Sequence, residues 1–144
     1  MNGFWKTWLN IWCLGVGLFG LVLAGGAFAA TSGPVERLFD ILGGGPPEIT
    51  PALRFLLAVM GAVTLGWALT FYAAFSAAAA LGPQGRSAWR VVTVAVAGWY
   101  VIDCWLSIAT GFALNAVPNT LLLAGYLAPV WRSGVLGARS LSPS

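Results

Sequence analysis

One polar pattern interrupts an otherwise apolar chain. Trp99, Asp103, Ser107, Gly111, Asn115 and Asn119 recur at every fourth residue. On a helix, residues four apart stack along one face, so Trp99 to Gly111 form a stripe. The spacing puts Asn115 and Asn119 past a turn, from where they fold back over the end of the stripe. A carboxylate, a hydroxyl and two carboxamides supply hydrogen-bond donors and acceptors, and the carboxylate adds a charge. Inside a bilayer a carboxylate costs roughly 3 kcal/mol on insertion scales, so it faces the bundle interior and has a partner, or is protonated. Arg54 is the basic residue nearest that end, and a direct or water-bridged Arg54–Asp103 pair is expected. Ser107, Asn115 and Tyr100 are the alternative donors. Two chemistries fit the stripe. One is a small polar pocket that takes the head of a lipid, a quinone or another amphipathic molecule. The other is interhelical hydrogen bonding that holds the helices together. A proton relay fits less well, because it needs a chain of titratable groups and the stripe has one acid.

The chain contains no histidine. Histidine is the commonest metal ligand and the usual axial ligand of haem, so no metal site and no cofactor is expected. Cys13 and Cys104 form no C-x-x-C pair and read as small packing residues. No nucleophile elbow, Ser-His pair or Cys-His pair is present, and a membrane-lipid enzyme would lack acid–base pairs. The expectation is a non-enzymatic protein with no catalytic residues. The net charge of +3 comes from basic residues scattered beside apolar segments, which speaks for membrane orientation and against nucleic acid.

The elements that must hold the stripe are apolar helices. Hydrophobic residues make up 59% of the 144-residue chain and charged residues 8%. A soluble domain carries about a quarter charged residues, so this surface needs lipid or apolar protein around it. The apolar runs predict four spans, near 5–30, 51–81, 88–111 and 116–131, each long enough for a bilayer core of about 30 Å. Ala27-Phe28-Ala29 resembles a signal-peptide cleavage site, but the long apolar run reads as a retained helix. Thr50-Pro51 begins the second span and Gly82-Pro83 stops it. Between the first two spans, Val35, Leu38, Phe39, Ile41 and Leu42 share one face over 34–42. That segment is either a surface-lying amphipathic helix or a plain loop. Gly43-Gly44-Gly45 ends it, and Pro46 and Pro47 extend the chain. The tail after Arg132 is polar and expected to be mobile.

With four spans, Lys6, Arg86, Arg90, Arg132 and Arg139 fall on one side. Arg37 and Arg54 lie on the other with Glu36, Asp40 and Glu48. Basic residues prefer the cytoplasm. The expected fold is thus an all-α, antiparallel four-helix membrane bundle with both termini cytoplasmic, forming one domain over 1–144 in a bacterial inner membrane. Trp5, Trp8, Trp89 and Trp131 read as the aromatic belt of the cytoplasmic interface. Trp5, Trp8 and Trp12 lie near one face and suit an anchor to lipid or to a partner.

Small residues make a second pattern. Gly15 and Gly20 in the first span, and Gly61 and Gly66 in the second, let backbones approach closely. They serve packing within the chain or docking to a neighbouring membrane subunit.

The segment from Trp99 through Asp103, Ser107, Gly111 and Asn115 to Asn119 resembles small uncharacterised bacterial four-helix inner-membrane proteins, loosely similar to the DoxX-like group. That resemblance implies an antiparallel four-helix bundle with Asp103 and its stripe as the candidate site. Distant bundles of this shape bind sterol-like ligands. Two functions are therefore expected. The first is an accessory or assembly subunit that docks laterally to a respiratory or photosynthetic complex, with membrane lipids and an integral membrane protein as partners. The alternative is a stand-alone binder of a lipid, quinone or sterol-like molecule near Asp103.

Overall fold

In a computed structural model the described residues are 1–43, 45 and 48–137. The readings of Gly44, Pro46, Pro47, Arg139 and the tail from 138 onwards lie outside them. Among the described residues the secondary structure is helical, without strands. The helices are α1 (Gly3–Gly25), α2 (Gly33–Ile41), α3 (Pro51–Ala80), α4 (Arg86–Ala109) and α5 (Ala116–Arg132). Short 3₁₀ turns at Ala29–Thr31, Gly82–Gly85 and Ala113–Asn115 lead into α2, α4 and α5. Four of the segments, all but α2, are long and apolar enough to cross a membrane. Their outward faces carry large apolar side chains such as Leu14, Phe55, Val94, Trp105 and Leu121. An apolar surface of this extent needs a non-aqueous neighbour.

Local chemistry sets the helix ends. The Asn2 side chain accepts from the Trp5 amide and opens α1. Thr50 accepts from the Leu53 amide at 3.2 Å, with Pro51 at the first helical position of α3. The first helix stops at Gly25, short of the expected residue 30. Gly25 and Gly26 are weak helix formers. The Thr31 hydroxyl donates to the Gly25 carbonyl at 2.6 Å and fastens the chain as it turns away. The segment after it is helical over Gly33–Ile41, and Val35 is wholly buried.

The α1–α3 pair is the tightest. A Cβ at Gly20 would stand 2.8 Å from the Leu65 amide nitrogen and 2.9 Å from the Gly61 carbonyl oxygen. A Cβ at Gly61 would overlap the backbone of Ala24. Gly15 and Gly66, grouped with these two from the sequence, do not take part. Nothing lies within 4 Å of either Cβ position, because these two glycines point away from the helix–helix seam.

The core occupies the end of the molecule near Gly82–Gly85. Phe75 stacks on Trp89 at 5.7 Å and on Tyr126 at 5.6 Å between ring centroids, and Trp12 meets Phe71 edge-on at 5.7 Å. Trp89 is therefore a core residue and not part of an interfacial belt, whereas Trp131 is 80% exposed.

Trp12 departs from the lipid-anchor reading, being only 8% exposed, whereas Trp8 keeps 42% of its surface exposed while its indole bonds inward. The Trp8 indole donates to the Gly125 carbonyl at 2.8 Å, and the Trp12 indole donates to the Leu122 carbonyl at 2.9 Å. Pro129 lies inside α5 four residues after Gly125. Proline has no N–H, so the Gly125 carbonyl loses its helical partner. Trp8 supplies the missing donor. Trp8→Phe keeps most of the ring and removes that bond. It should lower stability in detergent by about 1 kcal/mol, whereas equal melting of variant and wild type would show that the bond contributes nothing.

Candidate functional site

The polar stripe is assembled by the turn between α4 and α5. At the end of α4 the Phe112 amide donates to the Ser107 carbonyl at 2.8 Å, and the Gly111 amide donates to the Ile108 carbonyl at 3.2 Å. This double bond pattern is a Schellman cap, which needs a left-handed residue after the helix. Gly111 fills that position at φ +89°. The reversal then brings α5 back beside α4.

Gly111 is thus the pivot of a helical hairpin, and the residues pair symmetrically about it. Four residues to either side, Asn115 Nδ2 donates to Ser107 Oγ at 2.9 Å. Eight residues to either side, Asn119 Nδ2 donates to Asp103 Oδ2 at 2.5 Å. Asn115 Nδ2 also approaches Asp103 Oδ2 at 3.5 Å, and Asn119 Nδ2 approaches Cys104 Sγ at 3.8 Å. Asn119 and Ser107 are buried, at 5% and 8% exposure. An isolated carboxylate in such a setting is costly, and hydrogen bonds from two amides offset part of that cost.

The structure does not bring Arg54 to Asp103. Arg54 Nη1 donates instead to the Gly26 carbonyl at 3.2 Å. Arg54 stands in the first turn of α3, beside the end of α1, where carbonyls point out of the helix and attract a cation. The Tyr100 hydroxyl is engaged elsewhere, with the Thr120 hydroxyl at 3.1 Å. Of the candidate partners named from the sequence, Asn115 reaches Asp103. Asn119, expected from the sequence to fold back over the stripe but not named as a partner of Asp103, is the closest donor.

Trp99 lies one turn before Asp103 on α4 and packs its ring against Trp67 of α3, with centroids 5.3 Å apart. These residues line a cavity of about 680 Å³ bounded by all five helices. Phe19 and Leu23 of α1, Met60, Val63 and Thr64 of α3, and Pro118 and Leu122 of α5 give it a mostly apolar wall. Asp103, Asn115 and Asn119 form its polar end. Leu38 of α2 closes one side. A second cavity of about 300 Å³ shares Phe19, Leu23, Leu38, Asp103 and Asn115 with the first. Phe39 of α2 and Phe112 line it and meet at 5.8 Å between ring centroids. The α2 segment therefore roofs the polar cluster.

The cavity follows from the packing. Gly20 and Gly61 draw α1 and α3 together, and the Gly111 turn draws α4 and α5 together through their asparagines. Large rings fill the space between the two pairs at the core end. Elsewhere in the lining, Gly15 and the short Thr64 side chain add little bulk and leave it open. Its lateral wall was hidden in the sequence, since it depends on which faces of the helices meet.

Cys13 and Cys104 are both free thiols. Among the described residues no three His, Cys, Asp or Glu side chains come together as a metal site would require. Fold and site together define a helical protein with four potential membrane spans and a partly open apolar cavity ending in a carboxylate–amide cluster. Compared with models of known families, with curated proteins and with solved structures, the chain has no significant match.

Proposed function

We propose that this chain is a non-enzymatic, multi-pass membrane protein that binds one amphipathic small molecule in the cavity at Asp103. A lipid, a quinone or a sterol-like molecule is the class of ligand. The observation that carries the reading is the cavity of about 680 Å³ with one polar end. Small-molecule sites span roughly 300–1,000 Å³ and combine apolar walls with a few placed polar groups. A bundle held together by polar side chains alone has no need of an open volume beside them. The rival reading is an accessory subunit docked to a larger respiratory or photosynthetic complex. It draws on Gly66, whose outward face has nothing within 4 Å, and a solid interior would have favoured it.

In this account the four spans form an antiparallel bundle in a bacterial inner membrane. Lys6, Arg86, Arg90 and Arg132 mark the cytoplasmic end, and both termini lie there. Glu36, Asp40 and Glu48 fall at the opposite end, so the cavity opens in the outer half of the bilayer with α2 at its surface. Purification of the tagged chain in mild detergent, with analysis of bound polypeptides and extracted small molecules, separates the two functions. The expected result is a chain free of stoichiometric protein partners and carrying one reproducible small molecule. A stoichiometric polypeptide with no enriched small molecule would overturn the binding reading in favour of the subunit.

A further inference from the structure

The hydrogen-bond inventory at the polar end of the cavity specifies what kind of head group fits. A carboxylate only accepts hydrogen bonds. Asp103 therefore forces the amide nitrogens of Asn115 and Asn119 towards itself, which fixes the sense of both carboxamides. The two hydrogens of Asn115 Nδ2 have Ser107 Oγ and Asp103 Oδ2 as acceptors. Those of Asn119 Nδ2 have Asp103 Oδ2 and Cys104 Sγ. The close bonds are one per amide, Asn115 to Ser107 at 2.9 Å and Asn119 to Asp103 at 2.5 Å, and the second contacts are long, at 3.5 Å and 3.8 Å. What remains beside Asp103 is a set of acceptors, namely Asp103 Oδ1 and the carbonyl oxygens of Asn115 and Asn119, while the indole N–H groups of Trp67 and Trp99 are donors elsewhere in the lining.

Those oxygens are not sealed in. No fully buried side-chain nitrogen or oxygen lacks a partner among the described residues. The unpartnered acceptors therefore keep accessible surface, and all three residues line the cavity. The Thr64 hydroxyl, which also lines it, is committed to the Met60 carbonyl at 2.7 Å. Arg54, the cation that could have neutralised Asp103, is held by the Gly26 carbonyl.

We infer that the cavity selects amphiphiles whose head group donates hydrogen bonds, a hydroxyl or an ammonium, and discriminates against heads that only accept, such as a quinone carbonyl or a carboxylate. The inference rests on the cavity being a ligand site, the reading proposed above. A donor head satisfies Asp103 and the outward amide carbonyls together. A carbonyl head places lone pair against lone pair, and a carboxylate adds like-charge repulsion. The apolar body then lies between Trp67, Trp99 and Phe19.

The test uses the full chain in phosphatidylcholine nanodiscs and four probes with one apolar body: pyrenemethanol, pyrenemethylammonium, pyrenecarboxaldehyde and pyrenecarboxylate. Energy transfer from tryptophan to pyrene reports binding, because Trp67 and Trp99 line the site. Saturable binding of the alcohol and the ammonium is expected, tighter than the aldehyde and the carboxylate by about tenfold or more, as loss of a hydrogen bond to a charged group implies. An ammonium tighter than the alcohol identifies ion pairing as the source of selectivity, and equal binding identifies hydrogen bonding. Asp103→Asn supplies a donor of its own and should narrow the gap between alcohol and aldehyde. Saturable binding with the aldehyde or carboxylate equal or tighter in the wild type would overturn the head-group inference and leave the cavity as a ligand site. Transfer that never saturates for any probe would overturn the ligand site itself. The wild-type series decides the matter even where Asp103→Asn fails to fold.

Discussion

Gly61→Ala should unfold in detergent well below the wild type, with a loss of about 1–3 kcal/mol from overpacking. The change replaces a poor helix former with the best one, and on propensity alone it should gain about 1 kcal/mol. Packing decides the sign. A methyl group at position 61 would overlap the backbone nitrogen and Cα of Ala24. Backbone cannot rotate aside as a side chain can, so α1 and α3 must separate. That separation also undoes the fit at Gly20, whose Cβ position stands 2.8 Å from Leu65. Gly66→Ala on the same helix is the internal control. Nothing lies within 4 Å of its Cβ position, so it should melt at or above the wild type. Melting curves of both variants in one detergent settle the point. A Gly61→Ala protein as stable as Gly66→Ala would mean that the α1–α3 seam is not where it is drawn.

The second large effect concerns Asp103. Asp103→Leu removes the acceptor of Asn119, a side chain only 5% exposed, and of part of the Asn115 amide. A buried donor left without a partner costs about 1–3 kcal/mol. The loss should depend on the asparagine. In a double-mutant cycle Asp103→Leu and Asn119→Leu should couple by about 0.5–3 kcal/mol, because the second change removes the orphaned donor. The same cycle with Arg54→Gln should be additive within about 0.5 kcal/mol, since Arg54 bonds the Gly26 carbonyl and not Asp103. Strong coupling to Arg54 with none to Asn119 would reverse the assignment.

The helices were legible because hydropathy, proline and glycine all act locally. Thr50-Pro51 and Gly82-Pro83 mark the ends of α3 through capping and chain stiffness, which need no knowledge of neighbours. The end of α1 was misjudged for a related reason. An apolar run continues past Gly25, but Thr31 catches the Gly25 carbonyl, and a side chain six residues away leaves no trace in hydropathy. The tryptophans show the limit more sharply. At an interface or in a core the same residue type appears, and only the fold tells that Trp8 serves the carbonyl left open by Pro129. The pairing of Asp103 with Asn119 had a readable signal, namely equal spacing on both sides of a glycine that can reverse the chain. The attraction of opposite charges drew attention to Arg54 instead. The cavity itself had no signal, because it is the space that packing leaves empty.

The central claim is that this space holds a ligand, and Gly15 offers a direct way to close it. Gly15 lines the cavity and has nothing within 4 Å of its Cβ position, so Gly15→Phe starts a ring from open space at the cavity wall. Native mass spectrometry of the wild type and Gly15→Phe, released from the same mild detergent, is the measurement to make. The expected result is one bound small molecule per wild-type chain, absent from a variant that melts at the wild-type temperature. The same adduct on both proteins, or on neither, would contradict it.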